Sequence, residues 1–193
     1  MSEKDLPIDI SKDSSYSSIF QSNIDSKILL SLSDFFQYQM ANTSDSPLSL
    51  KIDSNLSEKQ KNELYARLLN SANIVDSDIL FSPILRNKIN EIRKMELSDS
   101  TLKCDRIKGF FHQKNPSKSG VSQHKVDALF KHIRDSFAHG RIAFVDSFLI
   151  LEDKVNELTG RLVITTGVLY QWKTVIEDYL LEINRKDDNN GTI

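Results

Sequence analysis

Cysteine is almost absent from this 193-residue chain: Cys104 stands alone, so the chain can close no internal disulfide and cannot assemble a cysteine-rich metal site by itself. Long apolar runs are missing too, none approaching the roughly 18 to 20 residues that a bilayer span requires. The opening Met1-Ser2-Glu3-Lys4-Asp5 is acidic and unlike an export signal. These features predict a cytoplasmic protein without a membrane segment. The six glycines are scattered, and none precedes a Lys-Ser or Lys-Thr pair at phosphate-loop spacing. The His-Glu-x-x-His pattern of zinc peptidases and the Gly-x-Ser-x-Gly elbow of α/β-hydrolases are likewise missing. No metal site or cofactor is expected.

The formal net charge is only −2, but the charge is segregated along the chain. Residues 83–141 hold 13 basic and 6 acidic side chains and all four histidines, between flanks of net −5 and −4. A local basic patch of this kind attracts phosphate without making the whole protein a general polyanion binder. A solvated helical face rich in lysine accounts for the same charge equally well.

Residues 1–14 are polar and without periodicity, which predicts a disordered lead-in. Apolar residues from Ile19 to Phe36 then recur every three to four positions, the pattern of an amphipathic helix over Tyr16 to Met40. Ser57 and Gln60 match a capping box for a second helix reaching about Ala72, and Ser82 before Pro83 predicts the start of a third, to about Glu96. A short further helix is expected over Leu102 to Phe111. His112 to Gly120 reads as a basic loop, in which Lys114 and Lys118 could meet a phosphate backbone. Val121 to Gly140 is the next helix, with a core stripe of Val126, Leu129, Phe130, Ile133 and Phe137 and a left-handed cap at Gly140. The period then changes to two, predicting a β-hairpin at about 147–166. A last helix from Val168 to Ile183 places Leu169, Trp172, Ile176 and Leu180 in the core. The expected architecture is mainly α, one domain over residues 15–185 with a small β-hairpin before the last helix, followed by a disordered tail at 186–193. Glu152-Asp153 and Glu177-Asp178 read as surface charge, because neighbours in an element point apart.

Arg134, four intervening residues and His139 close the helix that ends at Gly140. A second arginine–histidine pair, Arg106 and His112, lacks the polar residue that Asp135 supplies directly after Arg134. The Arg134 pattern resembles the HEPN superfamily, whose members are commonly metal-independent ribonucleases. Ala138-His139-Gly140-Arg141, then Leu151-Glu152-Asp153-Lys154, Arg161-Leu162-Val163-Ile164 and a helix bearing Trp172 are similar to a subgroup known from plasmid-borne and defence-associated proteins. The likeness covers about residues 126–181; the N-terminal half resembles no family. It implies a HEPN-like helical bundle, a homodimer, RNA as substrate, a toxin or antiviral role, and an antitoxin or defence-system partner. Arg141 departs from the tyrosine found two residues after the histidine in toxins paired with a nucleotidyltransferase, so regulation through that tyrosine is not implied.

On a helix at about 100° per residue, Arg134 and His139 lie about 140° apart, so one helix alone cannot make them converge. A second copy about a two-fold axis can. Asp135 and His139, four residues apart, are neighbours, and Asp135 is expected to orient the imidazole and stabilise its charged form. In the chemistry that the resemblance implies, the RNA 2′-OH attacks the adjacent phosphorus, His139 is the general acid or base, and Arg134 clamps the non-bridging oxygens. Lys131 and Arg141 are further candidate RNA contacts. The alternative expectation is a non-catalytic HEPN-like module that binds RNA, a nucleotide or a protein.

Overall fold

Reciprocal hydrogen bonds between Ser57 and Gln60 start the helix that follows Ser57: Gln60 N–H donates to Ser57 Oγ, and Ser57 N–H donates to Gln60 Oε1. This is the capping box that the sequence predicts. The structure, a computed structural model, describes residues 26–39, 56–83, 107–113, 123–145, 148–154 and 158–190. Helix α1 is Ser26–Asp34, continuing into a π turn at Phe35–Gln39, and α2 is Glu58–Ser71. Strands β1 (Ile79–Ser82) and β2 (Lys108–His112) precede helix α3 (Lys125–Ala138). Strands β3 (Ile142–Val145), β4 (Phe148–Lys154) and β5 (Leu158–Thr165) lead into the last helix, α4 (Thr166–Asn190).

The five strands form one mixed sheet in the order β1-β2-β5-β4-β3, with β1 and β2 parallel and the other pairs antiparallel. This corrects the expectation of a mainly α, HEPN-like helical bundle: the fold is α/β. The expected hairpin is present as β4 and β5, but it forms the middle of a sheet and is no mere attachment. Ser82 closes β1 and caps no helix, and Lys108–His112 is a strand where a short helix was expected. Both are short apolar runs; Phe110 and Phe111 are buried on opposite faces of β2, which hides the alternation that identifies a strand. The helix expected from Pro83 to Glu96, the loop carrying Lys114 and Lys118, and residues 1–14 lie outside the described residues. Helix α4 runs past Ile183 to Asn190, into the expected tail.

The helices cover one face of the sheet. Their core joins Leu32, Phe36, Leu64, Leu68, Trp172 and Ile176 to the sheet residues Phe111, Leu149, Leu151, Leu162 and Ile164. All five apolar residues expected on the inner stripe of α3 are buried there. Trp172 is fully buried, and its indole N–H donates to Leu68 O at 2.9 Å, so its ring belongs to the core, as the sequence predicts. Phe36 of the π turn stacks on Phe137, fixing the last turn of α3 from the helical side.

Candidate functional site at the end of helix α3

Helix α3 ends where the sequence places its cap. Gly140 takes a φ of 62°, His139 N–H donates to Asp135 O at 3.1 Å, and Arg141 N–H donates to Ser136 O at 2.9 Å. The left-handed turn releases the chain directly into β3, and Glu152 N–H donates to Arg141 O, tying that turn to β4. His139 is exposed, and no described residue hydrogen bonds to its ring. Arg134 is about one-third exposed, on the preceding turn. The structure therefore puts the two sequence-predicted site residues on one open end of one helix.

Asp135 does not face His139. Its Oδ1 accepts from Arg134 Nε at 3.0 Å and Nη2 at 2.7 Å, and its Oδ2 accepts from Lys131 Nζ at 2.7 Å. The orienting role expected from the four-residue spacing gives way because two cations lie within reach of one carboxylate. Arg141 is half-buried, with its Nε enclosed and without a hydrogen-bond partner among the described residues. Lys114 and Lys118 fall outside the described residues.

Beneath this surface lies a buried cluster that the sequence reading missed. His132 faces into the core, its Nδ1 at 2.5 Å from Asp153 Oδ2 of β4 and its Nε2 at 2.8 Å from the carbonyl of His112 in β2. Both ring nitrogens thus face acceptors. Asp153 Oδ2 also accepts from Thr159 Oγ1 at 3.0 Å and lies 3.4 Å from Lys131 Nζ. Burial by itself would push the Asp153 carboxyl up; the hydrogen bond and charge of His132, with Lys131 and Thr159, outweigh it and hold the carboxyl below the usual carboxylate value. The neighbouring Glu152 pairs with Arg161 at 2.6 Å, both buried. Glu152-Asp153 is therefore no surface charge, whereas Asp178 is exposed and Glu177 pairs with Lys173 as a partly exposed helical neighbour. The missed signal was positional: His132 lies three residues after Leu129 and four before Ser136, on the inner side of α3.

Gly160 of β5 exists to admit that ring. A Cβ there would stand 2.8 Å from His132 Cγ, 2.9 Å from Nδ1 and 3.0 Å from Cβ; turning the ring away would break its bond to Asp153, and the Cβ contact would remain in any rotamer. Gly160→Ala is expected to destabilise the fold by about 1 to 3 kcal/mol. The loss should shrink in a His132→Ala background, and urea unfolding of the two single variants and the double variant measures the coupling.

The opposite end of α3 borders an open cavity of about 460 Å³ lined by Asn62, Tyr65, Asp76, His124 and Lys125, among others. Lys125 is committed to Asp76 at 2.7 Å, and Glu58 adds a second carboxylate, so this cavity does not favour phosphate. His124 caps the helix: Nδ1 accepts from Val126 N–H and Nε2 lies 3.1 Å from Asn62 Oδ1, an arrangement of the neutral ring. Burial lowers its pKa, with Lys61 and Lys125 acting in the same direction against Glu58 and Asp127. A group with a depressed folded pKa stabilises the fold above its unfolded value and loses that contribution as pH falls. Stability should therefore decline below pH 6.5, the ordinary histidine value. His124→Asn, which caps without titrating, should flatten the profile between pH 7 and pH 5 in urea melts.

No protein-family model, curated protein or solved structure matches the chain. Among the described residues, no cluster of His, Cys, Asp and Glu could hold a metal ion, and no helix is long and apolar enough to cross a membrane.

Proposed function

We propose that the end of α3 is half of a metal-independent ribonuclease site, completed by a second copy of the chain. The observation that carries this reading is the exposed His139 ring, without a partner among the described residues, one turn beyond Arg134 on a helix whose inner face is anchored to the sheet. Arg134 of one copy and His139 of the other converge on one phosphodiester. The 2′-oxygen bonds to phosphorus and the bond to the 5′-oxygen breaks. The His139 ring accepts the 2′-OH proton, and the departing 5′-oxygen takes its proton from water. Arg134 donates two hydrogen bonds to the non-bridging oxygens as charge builds on them. Lys131 and Arg141 neutralise neighbouring phosphates. A cytoplasmic toxin or antiviral role, restrained by an antitoxin or defence-system partner, accompanies the reading.

The test is incubation of the purified protein with mixed-sequence RNA in EDTA. Fragments ending in 2′,3′-cyclic phosphate and 5′-OH are expected, and the same sequence with 2′-O-methyl groups should resist. Cleavage of the methylated RNA would remove the internal nucleophile from the account.

One observation favours a second reading, a non-catalytic module that binds RNA, a nucleotide or a protein. Both donors on one edge of the Arg134 guanidinium are already occupied by Asp135. On that reading, Arg134→Ala changes binding or self-association and there is no cleavage to lose.

A further inference from the structure

The contact between Arg134 and Asp135 uses the donors of an arginine–phosphate contact, converged on one carboxylate oxygen. Nε and Nη2, the two parallel donors that grip a phosphate edge, both point at Oδ1 of Asp135. Lys131 supplies a third donor, to Oδ2. One carboxylate thus collects two cations, on a surface where Lys131 and Arg134 are each 35% exposed and Asp135 is 18% exposed. Ion pairs as wet as these are weak and readily exchanged. The two cations are not equivalent. Lys131 has a second carboxylate at hand, Asp153 Oδ2 at 3.4 Å, whereas Asp135 is the acid that holds Arg134 among the described residues.

We infer that Lys131 and Arg134 form a phosphodiester-binding site that Asp135 occupies in the absence of ligand, standing in for the phosphate. The identity of the ligand as an RNA phosphodiester rests on the ribonuclease reading; the displacement itself does not. An arriving phosphate takes the Arg134 donors, Asp135 swings away, and Lys131 either follows the phosphate or retreats to Asp153. Asp135 therefore opposes binding, setting a threshold that only a well-placed phosphate overcomes. This inverts the role that its helical spacing with His139 predicts.

The test uses a fluorescein-labelled 12-nucleotide single-stranded DNA, which carries the phosphates but lacks the 2′-OH nucleophile. Fluorescence anisotropy with the full chain over a series of KCl concentrations gives affinity and salt slope. Asp135→Asn should bind about three- to tenfold tighter than wild type. Its slope should be steeper by about 0.7, because no displaced carboxylate takes up a cation to offset the release from one phosphate of the single strand. Asp135→Ser should behave alike, which guards against a peculiarity of the amide, and urea midpoints confirm that both variants are folded. Adding Arg134→Ala to Asp135→Asn should abolish the gain. Asp178→Asn, an equal charge change at an exposed position of α4, should leave binding within twofold of wild type.

Unchanged or weaker binding by folded Asp135→Asn and Asp135→Ser would overturn the inference, as would an equal gain from Asp178→Asn. The two readings fail separately. If wild type cuts no RNA while Asp135→Asn gains affinity, the nuclease falls and the phosphate site stands. If cleavage needs Arg134 and His139 but Asp135→Asn gains nothing, only the displacement falls.

Discussion

His139→Ala is expected to lower RNA cleavage at pH 7 by about 10²- to 10⁴-fold, the range that a positioned general acid or base contributes. The fold should not notice, because His139 is exposed and its ring has no hydrogen-bond partner among the described residues; the urea midpoint should match that of wild type. Arg134→Ala should lose cleavage on a similar scale, through the clamp on the non-bridging oxygens. Arg134→Lys keeps the charge and loses the fork, so it should recover only part of the rate. Rates measured under single-turnover conditions on one labelled RNA separate these effects from changes in binding. Equal activity in wild type, Arg134→Ala and His139→Ala would remove both residues from the chemistry.

Asp153→Ala carries the largest expected loss of stability, about 2 to 4 kcal/mol, because it leaves the buried His132 Nδ1 and the Thr159 hydroxyl without their shared acceptor. Asp153 is 1% exposed and His132 3% exposed, so water cannot replace the missing carboxylate. The loss spreads beyond one bond, because Asp153 Oδ2 also receives Thr159 and draws on Lys131. Its pH dependence is opposite in sense to that of a raised group. The folded carboxyl titrates below its ordinary value of 3.8, so its contribution is present above that pH and disappears as pH falls through the depressed folded value. Wild type should thus lose stability in strong acid more steeply than Asp153→Ala does. Urea melts at fixed protein concentration from pH 7 to pH 3 follow both effects. A loss below 1 kcal/mol at pH 7 would mean that His132 finds water or another acceptor, and that the cluster does not anchor α3.

The helices and the hairpin were legible because each writes a period into the sequence. The stripe Val126, Leu129, Phe130, Ile133, Phe137 and the box of Ser57 with Gln60 need only local rules, and both appear as read. Strand β2 was illegible for the opposite reason, and β1, only four residues long, is too short to write a period. A run such as Ile107-Lys108-Gly109-Phe110-Phe111 shows no alternation when both faces are covered, and its partners lie far along the chain: Gly109 pairs with Ile79 and with Leu162. Glu152-Asp153 shows the same limit at the site. That neighbours in a strand point apart was foreseen correctly. What local rules could not supply is that both sides are covered, so Asp153 meets His132 of α3 while Glu152 pairs with Arg161, its register partner in β5. The helix end that carries Arg134 and His139 was legible from its period and its Gly140 cap, but the partner of Asp135 was not. Two positions four apart on a helix are neighbours by geometry alone, and the competition among Arg134, Lys131 and His139 for one carboxylate is settled by side-chain reach, which sequence does not encode directly.

The composite site is tested most directly by RNA cleavage with a mixed dimer, one protomer carrying Arg134→Ala and the other His139→Ala, isolated through two different affinity tags. Each parent homodimer lacks one function in every site. The mixed dimer keeps one intact arginine and one intact histidine on opposite copies, facing the same cleft. Cleavage in EDTA well above that of both parents is the predicted result; a mixed dimer as inactive as its parents, beside an active wild type, would contradict the shared site.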